Sequence, residues 1–517
     1  MQFSRKDATN SKQLLIKLAL IAFVGFGLFI AGAIVALAPQ FVARLLPIPL
    51  LLIMVFMAFL SKSDRPLNEN FLKVWLAVIL ATMALWPTYM FIKVAGLPSI
   101  DARKIVAGLS FAAMIYFVVS RKPVSRALFS ENTGPLRVGS FLVFAYALWR
   151  IASCFVSPSP VSSLIQVSWE VLYYYSMFFV GALFFSHRNL HEWGMKIFMA
   201  LSILISIYAG IEWLMQKNLL LKLAPTNAEF AEYQTALSIS RVRDGFFRAQ
   251  GTFEHPLLLA EFSAMAACFG LAAWLWPHTK KSFRVLGAVT FVAAITTALF
   301  TGSRSAFITL AAGAGFVFLL WFFSPKGNVK PKDQSFRKIG FVMTLITVLM
   351  IALPSATLLT QGKSRDQAAS TAGRIVMMEQ GIPSIQKYPV LGRGPGVGSY
   401  VAGIKTGSGL NTLDNYYLAI AIESGLPAIL LLFAILLYPV WVIFNRLMTF
   451  NNASSSFYAT VAGCSLVILL THAVLWMPFN MTFSFLFSGA ALAALPKQHK
   501  ERIVGALSAD ELMGRSV

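Results

Sequence analysis

The chain has 517 residues, of which 57% are hydrophobic, and a mean hydropathy of +0.70. Charged residues make up 12% of the sequence, about half the average of roughly 25% in soluble proteins. These values exclude a soluble globular domain and indicate a protein that crosses a membrane many times.

Apolar runs of about 20 residues, the length that crosses roughly 30 Å of hydrocarbon, recur along the whole chain. We predict an all-α polytopic bundle of about 12–14 spans, formed by residues 1–495 as a single transmembrane domain and followed by a basic cytoplasmic tail, 496–517. The candidate spans are 13–37, 41–60, 71–92, 104–120, 138–156, 164–186, 195–216, 257–276, 284–301, 304–323, 338–358, 416–445, 456–476 and 480–495.

The net charge of +22 would suggest a nucleic-acid partner in a soluble protein, but no nucleic-acid-binding motif accompanies it. In a membrane protein, Lys and Arg mark cytoplasmic loops and stay near anionic lipid. We therefore expect membrane lipids and no nucleic acid as partners. The three cysteines, Cys154, Cys268 and Cys464, fall in apolar runs and are predicted to be small buried hydrophobes.

Basic residues in the short loops place both termini in the cytoplasm. The outer face then carries two long loops, at about 217–256 and 359–415, and each is predicted to contain a short helix on the membrane surface. In the first loop, Thr226–Glu229 has capping-box spacing. In the second loop, apolar residues at helical spacing line one face, namely Ile375, Met378, Ile382 and Ile385.

Ionisable residues inside spans are costly and usually face a partner or a cavity. Arg150 is predicted to pair with either Glu170 or Glu212, and the sequence leaves both partners open. Glu261 is expected to line a cavity on the outer side. His472 is expected to be a contact between helices.

Four motifs on the outer side combine Arg, Gly and acidic residues. They are R-A-Q-G-T-F-E-H-P from Arg248 to Pro256, T-G-S-R-S-A from Thr301 to Ala306, the Gly- and Arg-rich stretch from Gly373 to Gly396, and D-N-Y-Y-L with E-S-G-L-P from Asp414 to Pro427.

In this order, over roughly residues 200–440, the motifs resemble the O-antigen ligase and polymerase superfamily of bacterial envelopes. The resemblance implies a GT-C-like helical bundle with a large periplasmic loop, located in the bacterial inner membrane and carrying its active site at the periplasmic face. It implies a glycosyltransferase that uses a glycan on undecaprenyl diphosphate as donor, acts without a metal or other cofactor, and inverts the anomeric carbon. A chain-length regulator is a further partner by the same analogy.

The residue types independently suit such a reaction. A departing diphosphate must be met by a metal or by fixed guanidinium groups, and the outer loops lack the D-x-D pattern or clustered carboxylates that would hold a metal. Arginine binds phosphate oxygens in pairs. We predict Arg304, at the start of a helix, and Arg248 as catalytic residues, with Arg374 and Arg393 as substrate contacts.

Asp414 precedes a span and is predicted to be the general base, or alternatively the N-cap of that helix. The resembling ligases carry His followed by Asn at this position, so the Asp-Asn pair favours the polymerase branch. The remaining predicted substrate contacts are Glu254, His255, Asn415 and Tyr416.

Three functions fit the sequence. The first is a polysaccharide polymerase that transfers a growing glycan onto a lipid-linked repeat unit, so that both donor and acceptor are undecaprenyl-diphosphate-linked. The second is a ligase that moves a finished glycan to a lipid or protein acceptor by the same chemistry. The third is a transporter or flippase for lipid-linked sugars, which is disfavoured because the basic residues concentrate in two outer loops.

Overall fold

The computed structural model describes residues 68–87, 90–91, 101–120, 134–223, 242–243, 245–276, 280–325, 335, 337–343, 345, 365–401, 403, 413–449 and 454–495. The predicted spans 13–37 and 41–60, most of 338–358, the Thr226–Glu229 helix start and the tail 496–517 lie outside these residues.

The described part of the chain is a bundle of α-helices with one short β-hairpin. The helices are α1 (Glu69–Leu85), α2 (Ala102–Ser120), α3 (Pro135–Cys154), α4 (Pro160–Phe184), α5 (Arg188–Met215), α6 (Pro256–Leu275), α7 (Lys281–Phe300), α8 (Arg304–Phe323), α9 (Arg365–Lys387), α10 (Gly398–Val401), α11 (Tyr416–Leu447), α12 (Ser455–Thr471) and α13 (Met481–Leu495). A π-helical turn, Val171–Tyr175, interrupts α4, and the hairpin pairs β1 (Val242–Arg243) with β2 (Phe246–Phe247).

Eight helices of the described ranges are long and apolar enough to cross a membrane, namely α2 to α8 and α11. The helices α12 and α13 are apolar but shorter. These elements confirm the predicted all-α polytopic fold and make the chain a multi-pass membrane protein. The total number of spans stays a prediction because the first two candidates lie outside the described residues.

Two hydrogen bonds show that the segment before α6 lies at the same end of the bundle as the ends of α7 and α1. The Ala249 N–H donates to the Phe300 carbonyl at the end of α7 (2.9 Å), and the Thr252 hydroxyl donates to the Ala84 carbonyl near the end of α1 (2.7 Å). We call this end, where α2, α4, α6, α8 and α11 begin, the loop end.

The helix α6 lies at the centre of the bundle and is buried along nearly its whole length. It is apolar all round, as expected for a helix with neighbours on every side. Glycines allow α7 to cross it closely, because a Cβ on Gly270 would lie 2.6 Å from the Phe291 nitrogen and one on Gly287 would lie 2.7 Å from the Gly270 carbonyl oxygen.

A buried polar cluster ties α6 to α12 and α11 at the loop end. His472 Nδ1 lies 3.2 Å from Glu261 Oε1, Asn480 donates to the other carboxylate oxygen (2.9 Å), and the Tyr416 N–H donates to the His472 carbonyl (3.0 Å). His472 is therefore a contact between helices, as predicted. Glu261 is fully buried among these partners and does not line an open cavity, contrary to the prediction.

Candidate active site

Arg248 and Arg304 flank one turn at the loop end. The turn Thr301–Gly302–Ser303 joins α7 to α8, and Gly302 has a positive φ of 58°. Arg248 is buried, its Nε donates to the Thr301 carbonyl (2.9 Å), and a Cβ at position 302 would lie 3.2 Å from its Cγ. Arg304 is the first residue of α8 and is half-buried. The fold thus brings these two predicted catalytic arginines to the same turn.

The start of α8 is suited to an anion. The first N–H groups of a helix have no partner within the helix and carry the positive end of its dipole. The Ser303 side chain, at the N-cap position, makes no capping bond to them and instead pairs with the Ser305 hydroxyl (2.8 Å). The first backbone N–H groups of α8 and the guanidinium of Arg304 therefore lie at the same helix start. Such an arrangement binds phosphate groups well.

Glu254 and His255 lie just before α6, on the same chain segment as Arg248, and both are half-buried. His255 Nδ1 accepts a hydrogen bond from the Leu257 N–H (3.1 Å) and caps α6. This capping bond occupies one of the two ring nitrogens. The charge of Glu254 interacts with that of Arg103, at the start of α2.

Asp414 and Asn415 precede α11 and have different roles in the structure. The N-cap is Asn415, whose Oδ1 accepts from the Leu418 N–H (3.0 Å). The alternative that Asp414 caps this helix is therefore wrong, and its carboxylate is exposed at the loop end. Tyr416 is buried, with its ring centre 5.1 Å from that of His472.

The helix α9 confirms the prediction of a helix in the second long loop, and it packs on the bundle mainly through residues outside the predicted apolar face. A Cβ on Gly381 would lie 2.9 Å from a methyl group of Leu418, so α9 packs closely on the first turns of α11. Met377 and Ile385 share this packed face, and Ile385 also belongs to the predicted apolar face. Arg374 lies one turn before Met377 and is half-buried. The other three predicted residues, Ile375, Met378 and Ile382, are exposed.

The Gly-rich segment 388–398 docks on an interruption in α11. Gly425 breaks the helix with φ 78° and ψ 179°, which lets the Leu426 N–H reach the Pro389 carbonyl (2.8 Å). The Arg393 N–H donates to the Ile422 carbonyl (2.9 Å). Its guanidinium lies 4.7 Å from the centre of the Tyr388 ring, at cation–π distance.

Three glycines of this segment touch neighbouring backbone or side chains. A Cβ on Gly392 would lie 2.4 Å from the Glu423 carbonyl carbon, and one on Gly394 would lie 2.3 Å from Ser157 Cβ, in the connection between α3 and α4. A Cβ on Gly398 would lie 3.1 Å from Glu423 Cγ. Glycine is therefore required for close approach here, and the segment joins α11 to the start of α4.

A buried ion-pair network lies beneath the Gly-rich segment. Arg150 Nε donates to Glu170 (3.0 Å) and Nη2 contacts the other oxygen of the same carboxylate, while Nη1 donates to Glu423 (2.9 Å) and to the Ser424 hydroxyl (2.9 Å). Tyr175, in the π-helical turn, donates to Glu170 (2.7 Å). The network joins α3, α4 and α11.

The same network reaches the Gly-rich segment itself, because the Gly394 N–H donates to the backbone carbonyl of Glu423 (2.8 Å). Of the two partners predicted for Arg150, Glu170 is confirmed. Glu212 instead accepts from the Gly251 N–H (2.7 Å). The pairing with Glu423 was missed, since more than 270 residues separate it from Arg150. The only feature of the sequence that pointed to a role for Glu423 was its position before Ser-Gly inside an apolar run.

Residues 289–433 match the sequence model of a protein family described as O-antigen ligase. The match covers 145 of the 517 residues and supports the predicted resemblance to the O-antigen ligase and polymerase superfamily. No curated protein matches the chain. The superfamily implies a glycosyltransferase that acts on lipid-linked glycans. Its matched stretch includes the Arg304 turn, α9, the Gly-rich segment and the Asp414 helix start, whereas Arg248 and Arg150 lie outside it.

We expect Gly425→Ala to release the Gly-rich segment. An Ala at φ 78° is strained by about 1–3 kcal/mol, and its Cβ would lie 2.1 Å from the Val390 carbonyl oxygen. Limited trypsin digestion should then cut faster after Lys387 and Arg393, and the Tm should fall. The control is Gly373→Ala in α9, where a Cβ meets no described atom within 4 Å. Equal digestion of the two variants would contradict the docking described above.

Proposed function

We propose that this protein is a bacterial polysaccharide polymerase working at the periplasmic face of the inner membrane. An acceptor hydroxyl on a lipid-linked repeat unit attacks the anomeric carbon of a growing glycan carried on undecaprenyl diphosphate. The bond from that carbon to the diphosphate oxygen breaks, the lipid diphosphate leaves with the electron pair, and the anomeric configuration inverts. The reaction requires no metal in this proposal.

The observation that carries the proposal is that both arginines lie at a turn that belongs to the stretch matched by the family. The match covers the turn between α7 and α8, and Arg248 is fixed to that turn by its bond to Thr301. Two guanidinium groups beside a helix start would stabilise the negative charge that develops on the leaving diphosphate. Arg374 and Arg393 are proposed as supporting contacts to the glycan or its phosphates.

Asp414 is proposed as the general base. Its carboxylate is exposed at the loop end, where an acceptor could approach, and the capping role belongs to its neighbour Asn415. The acceptor hydroxyl would transfer its proton to this carboxylate as the new glycosidic bond forms. Glu254 and His255, before α6, and Asn415 and Tyr416, at the start of α11, are proposed as substrate contacts.

A ligase is the second candidate, because the matching family is described as O-antigen ligase. The chemistry and the site would be the same, and only the acceptor would differ. The Asp at position 414, where resembling ligases carry His, favours the polymerase.

We expect Arg304→Ala to lower the rate of glycan elongation by roughly 10²–10³-fold, the usual effect of removing one preorganised donor to a developing negative charge. Arg304→Lys should retain part of the rate because it keeps the charge but loses the paired donors. The measurement is elongation of a lipid-linked oligosaccharide by the purified protein.

Arg188→Ala is the matched control for Arg304→Ala. Arg188 is likewise the first residue of a spanning helix, but it lies at the opposite end of the bundle and is exposed. The assignment of Arg304 fails if both substitutions reduce elongation equally, or if neither does.

Asp414→Asn and Asn415→Ala should separate the chemical role from the capping role. Asp414→Asn should reduce elongation by roughly 10²–10⁴-fold, the range for a general base, and leave the Tm unchanged. Asn415→Ala should lower stability by about 1 kcal/mol through loss of the cap. Normal elongation by Asp414→Asn would reject Asp414 as the base.

Deleting the gene in the native cell should distinguish the two candidate functions. Loss of a polymerase leaves single repeat units on the lipid carrier or on the surface acceptor. Loss of a ligase leaves long chains stranded on the carrier, and that product pattern would reject the polymerase. Gel electrophoresis of the extracted lipid-linked and surface glycans is the measurement.

A further inference from the structure

The stretch from Arg248 to Phe253, which we call the Arg248 segment, connects β2 to α6, and all of its residues are buried. Connections usually run over the surface and move more than the elements they join. Hydrogen bonds instead tie this one to three helices. The Ala249 N–H reaches the end of α7 and the Thr252 hydroxyl reaches α1, as described above. The third tie, to α5, is made by a carboxylate.

Glu212 lies three residues before the end of α5 and is fully buried. Its Oε2 accepts hydrogen bonds from the N–H groups of Gly251 (2.7 Å) and Gln250 (3.3 Å). Gly251 has a φ of 60°, a conformation that glycine adopts without strain. Successive N–H groups that converge on one anion form a nest. The carboxylate therefore holds the backbone of the Arg248 segment.

The negative charge of Glu212 distinguishes it from a neutral hydrogen-bond acceptor. A side-chain amide or hydroxyl could accept from an N–H group at lower cost, because a carboxylate inside a spanning helix is expensive. Hydrogen bonds to a carboxylate are about twice as strong as those between neutral groups. A charged acceptor at this place is explained if the backbone of the Arg248 segment must be held firmly.

The helix that carries Glu212 packs against the end of α7. The Trp213 and Phe300 rings stack with their centres 5.2 Å apart. One turn before Phe300, the Thr297 hydroxyl donates to the Ser206 hydroxyl of α5 (2.7 Å). Glu212 therefore extends from a helix end that is fixed relative to the turn between α7 and α8.

Arg248 lies between two attachment points. Its Nε donates to the Thr301 carbonyl of that turn, and the N–H groups held by Glu212 belong to the second and third residues after it. Three residues of chain span at most about 10 Å, so the chain has little slack between Arg248 and the carboxylate. A shift of the backbone at Gly251 would therefore move the Arg248 guanidinium.

We propose that Glu212 is a positioning residue, which acts through the backbone of Gln250 and Gly251 to hold the Arg248 guanidinium where the leaving diphosphate develops its charge. The inference rests on the proposed function, in which Arg248 contacts that diphosphate. A misplacement of about 1 Å can lower a rate by roughly 10²-fold, even when the substituted residue is far from the chemistry. Glu212 itself contacts the segment and no reacting atom.

The test is a double-mutant cycle between Glu212→Gln and Arg248→Ala, measured as elongation of a lipid-linked oligosaccharide by the full-length protein in phospholipid nanodiscs. Glutamine keeps the size and one acceptor oxygen but removes the charge. We expect Glu212→Gln to lower kcat by roughly 10–10²-fold with little change in KM, the pattern for an interaction made only in the transition state. In the Arg248→Ala background, Glu212→Gln should have no further effect, because the guanidinium that it positions is absent.

Ser202→Ala is the control for loss of a buried polar group on the same helix. Ser202 is buried on α5, and its hydroxyl donates to the Phe198 carbonyl of its own helix (2.7 Å). It lies ten residues before Glu212, about 15 Å along the helix axis. This variant should keep the kcat of the unmodified protein. A fall in kcat equal to that of Glu212→Gln would overturn the proposal.

Asn218→Ala provides a second variant in case Glu212→Gln does not fold, as judged by its Tm. Asn218 Nδ2 donates to the Gly251 carbonyl (3.2 Å), so it holds the same residue with a neutral group. We expect a smaller fall in kcat than for Glu212→Gln, and this fall should also disappear in the Arg248→Ala background. An equal fall in both backgrounds would overturn the proposal.

The remaining outcomes separate the positioning role from the function on which it depends. Additive effects of Glu212→Gln and Arg248→Ala would reject the positioning role and leave Arg248 in place as a catalytic residue. An unchanged kcat in a folded Glu212→Gln variant would reject it as well. Normal elongation by Arg248→Ala would instead reject the proposed role of Arg248, and the positioning role with it.

Discussion

A guanidinium is tolerated inside a membrane-spanning bundle only where acceptors neutralise it and take up its donors, because an unpaired buried charge is very costly. Arg150 meets this requirement with Glu170 from α4 and Glu423 from α11. Because these partners come from two other helices, the pairing fixes the relative positions of α3, α4 and α11. The interruption of α11 at Gly425 and the docking of the Gly-rich segment both occur next to Glu423. The geometry of this side of the loop end therefore depends on one buried arginine.

The other side of the loop end is held by backbone acceptors and by a second carboxylate. Arg248 donates to the carbonyl of the turn between α7 and α8, and Glu261 joins α6 to α12 and α13 through His472 and Asn480. The start of α11 is tied to this side by the Tyr416 N–H, which donates to the His472 carbonyl, and further along α11 Ile422 and Glu423 accept hydrogen bonds from the Gly-rich segment.

Much of the fold followed from the sequence, because hydropathy and length define membrane helices directly. The span predicted at 416–445 is a helix from Tyr416 to Leu447, and the predicted start of a helix at Arg304 is confirmed. The sequence predicted an apolar face of α9 on the membrane surface but not which residues pack on the bundle. Beside a bilayer, Ile375, Met378 and Ile382 do not need protein neighbours, so periodicity alone could not separate a lipid-facing stripe from a packed one. The glycine at position 381 carried that information instead.

The candidate site was predictable where a local pattern determined it and not where distant residues meet. Arg248 and Arg304 each stood in a recognisable motif, but only the fold shows that both flank one turn. Asp414 and Asn415 have nearly equal capping propensity, so the sequence could not show which of them caps α11. The pairing of Glu423 with Arg150 is visible only in the folded structure, because the two residues are far apart in the sequence.

A structure of the protein with a bound polyisoprenyl diphosphate, determined by electron cryomicroscopy in nanodiscs, is the most direct test of the central claim. The account predicts diphosphate density at the start of α8, with its oxygens within hydrogen-bond distance of the Arg248 and Arg304 guanidinium groups. Diphosphate density bound at another place, with no contact to either arginine, would contradict it.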